Sequence, residues 1–212
     1  MTGILGIGAV RAPTYRVHPS ESRRRTKSIY ALLRIRPVVA QHSRAEGELL
    51  REYARGAKTL VEIGVAEGGS AWETRQVMAP HGTLYLVDPY PLSQLGRFSP
   101  TRLVAHRLLA TVPRGHVAWI EEFSPKAADD WSAPIDFLFI DGDHSYQGVK
   151  ADWDAWTPHL APGGHVALHD ARIDGIWINH QTGPVRLALE LRENAAWTVA
   201  SAVDTLVVLR RS

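Results

Sequence analysis

Residues Thr59 to Ser70 read TLVEIGVAEGGS. Leu60, Val61 and Ile63 make a short apolar run closed by glycine, the pattern of a strand buried on both faces. Gly64, Gly68 and Gly69 supply a turn, and Ser70 opens a helical stretch that reaches about Met78. A glycine turn between strand and helix lets backbone N–H groups and a helix N-terminus approach a polar ligand. Glu62 stands at the strand end, beside whatever the turn holds. The stretch predicts an α/β nucleotide-type site, and the rest of the chain must say which ligand it takes.

The same rhythm continues outward. Strands are expected at Thr83 to Val87, His116 to Ile120, Ile135 to Ile140 and His165 to His169, with helices near Pro100 to Thr111, Pro125 to Trp131 and Tyr146 to Leu160 between them. Val149, Trp153, Trp156 and Leu160 recur at helical spacing, so the tryptophans read as core rather than as a stacking platform. Pro162-Gly163-Gly164 reads as a turn. Upstream, Ser43 and Glu46 form a capping box for a helix running to Gly56. Strands alternating with helices predict a doubly wound, mostly parallel sheet with helices on both faces and a ligand at the carboxyl ends of the strands. The ending breaks the rhythm: after a helix from Pro184 to about Glu193, Trp197 to Ala202 and Leu206 to Leu209 flank Asp204 as an antiparallel hairpin.

With 212 residues the chain suits one α/β domain plus an arm. It has no cysteine, which excludes disulfides, thiolate metal sites and a cysteine nucleophile. No apolar run nears membrane-spanning length and the opening MTGILGIGAV lacks a basic start, so a cytoplasmic location is expected. Residues 1–40 form a basic arm with a short helix from Lys27 to Val39, ended by Pro37; Arg11, Arg16, Arg23, Arg24, Arg25, Lys27, Arg34 and Arg36 oppose only Glu21. Such an arm can serve nucleic acid, but no aromatic pattern accompanies the charge, and a solvated or dimer-contacting arm is the preferred reading. Residues 41–212 make up the domain.

Two ligands compete for the turn. A dinucleotide site wants G-x-G-x-x-G and an acid about twenty residues on. Asp88 meets the second need, but Ala66 stands where the second glycine would let a pyrophosphate approach, which counts against an NAD-dependent oxidoreductase. The segments VEIGVAEGGS, LYLVDPY, IDFLFIDGDHSY and LAPGGHVALHD, preceded by QHSRAEGELL, together resemble the class I S-adenosylmethionine-dependent methyltransferases. The likeness is to small-molecule O-methyltransferases of the catechol and caffeoyl-coenzyme A type and to bacterial natural-product enzymes of the family-24 kind. It implies a Rossmann-like seven-stranded sheet, S-adenosylmethionine as cofactor, and O-methylation of a small-molecule hydroxyl. The alternative is a nucleic-acid-binding or nucleic-acid-modifying methyltransferase that uses the arm.

Carried over by position, the resemblance implies that Glu62, Gly64, Ala66, Gly68 and Ser70 line the methionine and ribose, that Asp88 accepts both ribose hydroxyls, that Ser124 lies near the adenine, and that Asp141 borders the cofactor. Asp141 and Asp170 match two ligands of a divalent cation, such as Mg2+, that binds the acceptor oxygens and lowers their pKa. The third ligand of those enzymes is an Asn where this chain has Ala171, leaving His169, Asp143 or water to complete the shell. His144 matches the base position, with Asp143 assisting; the competing reading is that either one caps the helix starting near Ser145. The long segment from Ala171 to Gly183 carries Trp177 and His180, which with His169 are candidate acceptor contacts, and its apolar centre suits a flat acceptor.

Overall fold

The computed structural model describes residues 12–15, 31, 33, 37–90, 99–172 and 182–212. In chain order its elements are helix α1 (Arg44–Ala54), strand β1 (Thr59–Ile63), α2 (Gly69–Arg75), β2 (Thr83–Val87), α3 (Pro100–Leu109), β3 (His116–Ile120), α4 (Ser124–Ala128), β4 (Ile135–Ile140), α5 (Tyr146–Trp156), β5 (Leu160–Leu168), α6 (Gly183–Glu193), β6 (Trp197–Val203) and β7 (Leu206–Arg211). The strands form one seven-stranded sheet in the order β3-β2-β1-β4-β5-β7-β6. β1 to β5 run parallel, and β7 enters antiparallel to both β5 and β6.

Strand periodicity divides the core in two. Val61, Ile63, Leu138, Ile140, Val166 and Leu168 face one way, against Val149, Trp153 and Trp156 of α5 and Leu187 and Leu191 of α6. Leu60, Leu84, Leu86, Phe137 and Phe139 face the other, against Leu49 and Leu50 of α1, Ala71 of α2 and Ala105 and Leu109 of α3. Successive side chains of a strand point to opposite faces, so a strand covered on both sides must be apolar throughout. The tryptophans of α5 are core: Trp156 is wholly buried, a burial that contributes roughly 3 kcal/mol.

Two sequence expectations need correction. Pro162-Gly163-Gly164 lies inside β5 as an irregularity: Ile135 pairs with Leu160 and Phe137 with His165, so the extra residues bulge out, helped by Gly163 at φ +80°. Leu160 therefore begins the strand, and α5 ends at Trp156 with a 3-10 turn over Thr157–His159. The helix expected over residues 27–39 and ended by Pro37 falls mostly outside the described residues; beyond Pro37, Val39 bridges Thr14 in parallel, with Thr14 N–H donating to Val38 O at 2.9 Å and Ala40 N–H to Thr14 O at 2.8 Å. Tyr15 Oη then donates to Glu73 Oε1 at 2.6 Å, which fastens this part of the arm to α2.

Chain order reverses between β1 and β4. Open α/β sheets form a ligand crevice at such a switch point, beyond the carboxyl ends of the strands. Here the crevice is bounded by the turn after β1 and the segment after β4.

Candidate active site at the switch point

The turn after β1 is tied to its neighbours by backbone. Gly64 N–H donates to Val87 O at 3.0 Å, and Asp141 N–H donates to Ile63 O at 2.9 Å. Gly64 has φ +81°, and a Cβ there would lie 2.2 Å from Asp141 O. Only glycine allows this approach, so Gly64 serves the packing of the two loops against each other. Ala66 also adopts the left-handed region, at φ 46°, and Gly68 does so at φ 81° as N-cap of α2.

The first amides of the turn are already taken. Asp88 Oδ2 accepts from Val65 N–H at 3.0 Å and from Ala66 N–H at 3.1 Å, while Oδ1 accepts from Tyr90 N–H at 2.8 Å. A carboxylate has about four acceptor positions, so Asp88 has room for roughly one further hydroxyl rather than two. Glu62 is buried, and its Oε1 accepts from Ser70 Oγ at 2.6 Å. Its Oε2 has no hydrogen-bond partner among the described residues. Burial, with the charges of Asp141 and Asp88 adding to it against the Ser70 bond, pushes the Glu62 carboxyl up to about 8. Three acids, Glu62, Asp88 and Asp141, thus gather around the turn, an arrangement that disfavours pyrophosphate.

A second group gathers beyond β4 and β5. His144 stands between two carboxylates, with Nε2 3.4 Å from Asp141 Oδ1 and Nδ1 3.6 Å from Asp170 Oδ2. Asp141, His144 and Asp170 each offer one donor atom, and all three atoms lie within 4.8 Å of one another. Asp170 holds φ 49°, a strained conformation for a residue other than glycine. His169 Nδ1 sits 3.0 Å from Asp141 Oδ1, and Nε2 sits 3.5 Å from Glu46 Oε2 of α1. Burial opposes charge on His169, but Asp141 and Glu46 outweigh it and raise its pKa well above the ordinary value. Burial would likewise raise Asp141; the His169 charge and the bonds from His144 and His169 instead hold it below the carboxylate range. The hydrogen bond that the His144 ring makes to Asp141 is the main cause of the upward shift at His144.

Several predicted residues have other partners. Asp143 accepts from Ser145 N–H at 2.8 Å and from Ser145 Oγ at 3.0 Å, and Ser145 caps α5 by accepting from Gly148 N–H at 3.0 Å. The capping reading therefore describes Asp143, and the cap itself is Ser145. The Ser124 hydroxyl accepts from Trp156 Nε1 at 2.8 Å. His169 is only 3% exposed and is held against Asp141. Trp177 and His180 lie outside the described residues. Ala171, at the position of the expected Asn, is buried with its N–H on Thr205 O at 2.9 Å.

Sequence reasoning missed Glu46 as a site residue. It recognised the capping box, which is present: Ser43 N–H donates to Glu46 Oε2 at 2.7 Å and Glu46 N–H to Ser43 Oγ at 3.1 Å. The link onward to His169 spans 123 positions and leaves no local signal.

Among curated proteins, the chain is 36% identical to the uncharacterized protein y4gI of Sinorhizobium fredii over 59 residues, 26% of this chain and 6% of that one. It is 29% identical to the uncharacterized protein R132 of Acanthamoeba polyphaga mimivirus over 127 residues, 58% of this chain and 55% of that one. The match thus spans about half of the viral relative and a small part of the bacterial one. Among solved structures, the O-methyltransferase TomG of Streptomyces achromogenes, involved in tomaymycin synthesis and solved with S-adenosylmethionine (SAM), superposes with a TM-score of 0.58 at 18% identity, covering 91% of this chain and 90% of TomG. The methyltransferase domain family model matches residues 61–171, a little over half of the chain and the span from β1 to the end of the Asp170 corner. The chain belongs to this methyltransferase domain family.

Proposed function

We propose that the protein moves a methyl group from S-adenosylmethionine to a hydroxyl of a small molecule, with a divalent cation held between Asp141, His144 and Asp170. The observation that carries the donor is the acid-lined turn: the unpaired buried oxygen of Glu62, with Asp88 and Asp141 around it, fits a ligand bearing a sulfonium and an ammonium group. When bound, S-adenosylmethionine supplies a methyl carbon activated for in-line displacement. Glu62 faces its charged end, and Asp88 accepts from the ribose while keeping the turn closed through Val65 and Ala66. TomG, solved with this cofactor and named as an O-methyltransferase, supports the reading as a relative in fold.

For the acceptor half, two carboxylates and an imidazole form a donor set that suits Mn2+ as well as Mg2+. The imidazole of His144 provides the third donor that Ala171 cannot. When bound, such a cation polarises the acceptor oxygen and lowers its pKa. His144 then acts as a ligand instead of a free base, and Asp143 holds the start of α5 through Ser145.

Calorimetry is the test. S-adenosylmethionine should bind in the micromolar range, and Asp88→Ala should weaken it about 30-fold or more, since a hydrogen bond to a charged group contributes roughly 2 kcal/mol. An Asp88→Ala protein with the parent's affinity would overturn the cofactor assignment.

A further inference from the structure

Glu46 is buried on α1, and both of its oxygens are engaged. Oε1 accepts from Thr205 N–H at 2.9 Å and from Thr205 Oγ1 at 2.6 Å, and Oε2 accepts from Ser43 N–H at 2.7 Å and faces His169 Nε2 at 3.5 Å. A capping box needs only the Ser43 bond. The Thr205 and His169 contacts are extra, and they lead to the site. On the other side of its ring, His169 Nδ1 meets Asp141 Oδ1, the oxygen that also meets His144. A buried imidazole between two carboxylates has one orientation that satisfies both. Thr205 fixes the far end of this chain and also holds the Asp170 corner, because its carbonyl accepts from Ala171 N–H at 2.9 Å and from Arg172 N–H at 3.2 Å. Its neighbour Asp204 is bonded by Ser43 Oγ at 2.5 Å.

We infer that Glu46 is a positioning residue which, through His169, sets the orientation of the Asp141 carboxylate, with the Thr205 turn of the β6–β7 hairpin as its anchor. The inference rests on the proposed cation site for one of its readouts only. Groups one shell behind a metal ligand commonly change metal affinity about 10- to 100-fold when removed. Glu46→Gln keeps the size of the side chain, but two donors converge on each Glu46 oxygen, so the amide NH2 displaces either the Thr205 anchor or the Ser43 and His169 pair, and the chain from Thr205 to His169 is broken in both orientations.

The experiment compares parent and Glu46→Gln for Mn2+ binding by calorimetry, for S-adenosylhomocysteine binding, and for the ring nitrogens of His169 by 15N nuclear magnetic resonance. In a variant whose circular dichroism matches the parent, Mn2+ should bind about tenfold or more weakly. S-adenosylhomocysteine, held by Glu62 and Asp88 as well as Asp141, should lose less affinity than Mn2+ does, and the two His169 nitrogen signals should move. Parent-like Mn2+ affinity together with unmoved His169 signals would overturn the inference and leave Glu46 a helix cap only. A parent that takes no Mn2+ would remove the cation reading instead; the ring spectrum then decides alone, and unmoved signals in the variant overturn the inference. Should Glu46→Gln not fold, Thr205→Ala, which removes one of the two Thr205 donors, takes its place with the same pair of readouts and a smaller expected change.

Discussion

The two ends of the crevice are built on different plans. Around β1 and β2 the site is made of backbone and of acids close to it in the chain: Asp88 reaches Val65 and Ala66 across 23 and 22 positions. Around β4 and β5 it is made of side chains, Asp141, His144, His169 and Asp170, whose orientation depends on partners as far off as Thr205 and Glu46, 159 positions apart. The first kind of site travels as a motif, because one strand, one turn and one helix carry most of it. The second kind exists only once the whole sheet is assembled. The donor can therefore be argued from a short stretch, whereas the acceptor chemistry has to be argued from the fold.

The largest expected effect comes from the point where the two ends touch. Gly64→Ala places a Cβ 2.2 Å from Asp141 O at a φ of +81°. Left-handed strain and overpacking together should cost about 3 kcal/mol or more, lowering the melting midpoint by about 10 °C or leaving the protein insoluble. A Gly64→Ala protein that melts with the parent would show that the two ends are independent after all.

A middle-sized effect separates the ends by pH. The folded state holds a proton on Glu62 up to about pH 8, whereas the unfolded chain releases it near the ordinary glutamate range. The sign follows: this group's contribution is fully present below about pH 4.5 and is lost as pH rises through about 8. Binding a cationic donor favours the ionised form, so parent affinity for S-adenosylmethionine should rise between pH 7 and 9. Glu62→Gln should flatten both trends, as read by denaturant melts and by calorimetry at several pH values, while Mn2+ affinity stays near the parent's. Equal pH slopes in parent and variant would mean that Glu62 does not face the donor's charge.

The smallest effect concerns Ser124. Its hydroxyl is bonded to Trp156, so Ser124→Ala should cost about 1 kcal/mol, seen as a few degrees in melting, with little change in cofactor affinity. A tenfold loss of affinity would instead put the hydroxyl on the adenine.

Much of the fold was legible because its signals are periodic. The run Ile135–Ile140 is apolar except for Asp136 and became a strand buried along nearly all its length; Trp153 and Trp156, at helical spacing, became core. Pro162-Gly163-Gly164 misled because a bulge and a turn draw on the same residues. In the site, Asp88, Asp141, His144 and Asp170 were each found at a strand end or just past one, where the fold puts ligands. What they do was less legible. Asp143 and His144 are adjacent and both polar, and only the geometry shows Ser145 holding one and a pair of carboxylates holding the other. Glu46 has a complete local role as a capping residue, and its second role depends on partners 123 and 159 positions away that leave no mark on the local sequence.

The β6–β7 turn has a consequence for biosynthesis. Asp204 and Thr205 leave the ribosome after every other residue named in the site, and a chain emerging at about 5 to 20 residues per second has the turn after β1, Asp88 and Asp141 out well before them. A nascent chain that stops short of Thr205 should already be able to form the parallel part of the sheet, yet it lacks the anchor that holds Glu46 and the Asp170 corner. The β6–β7 hairpin thus sets the moment at which a folding chain gains an ordered Asp141, His144 and Asp170 cluster.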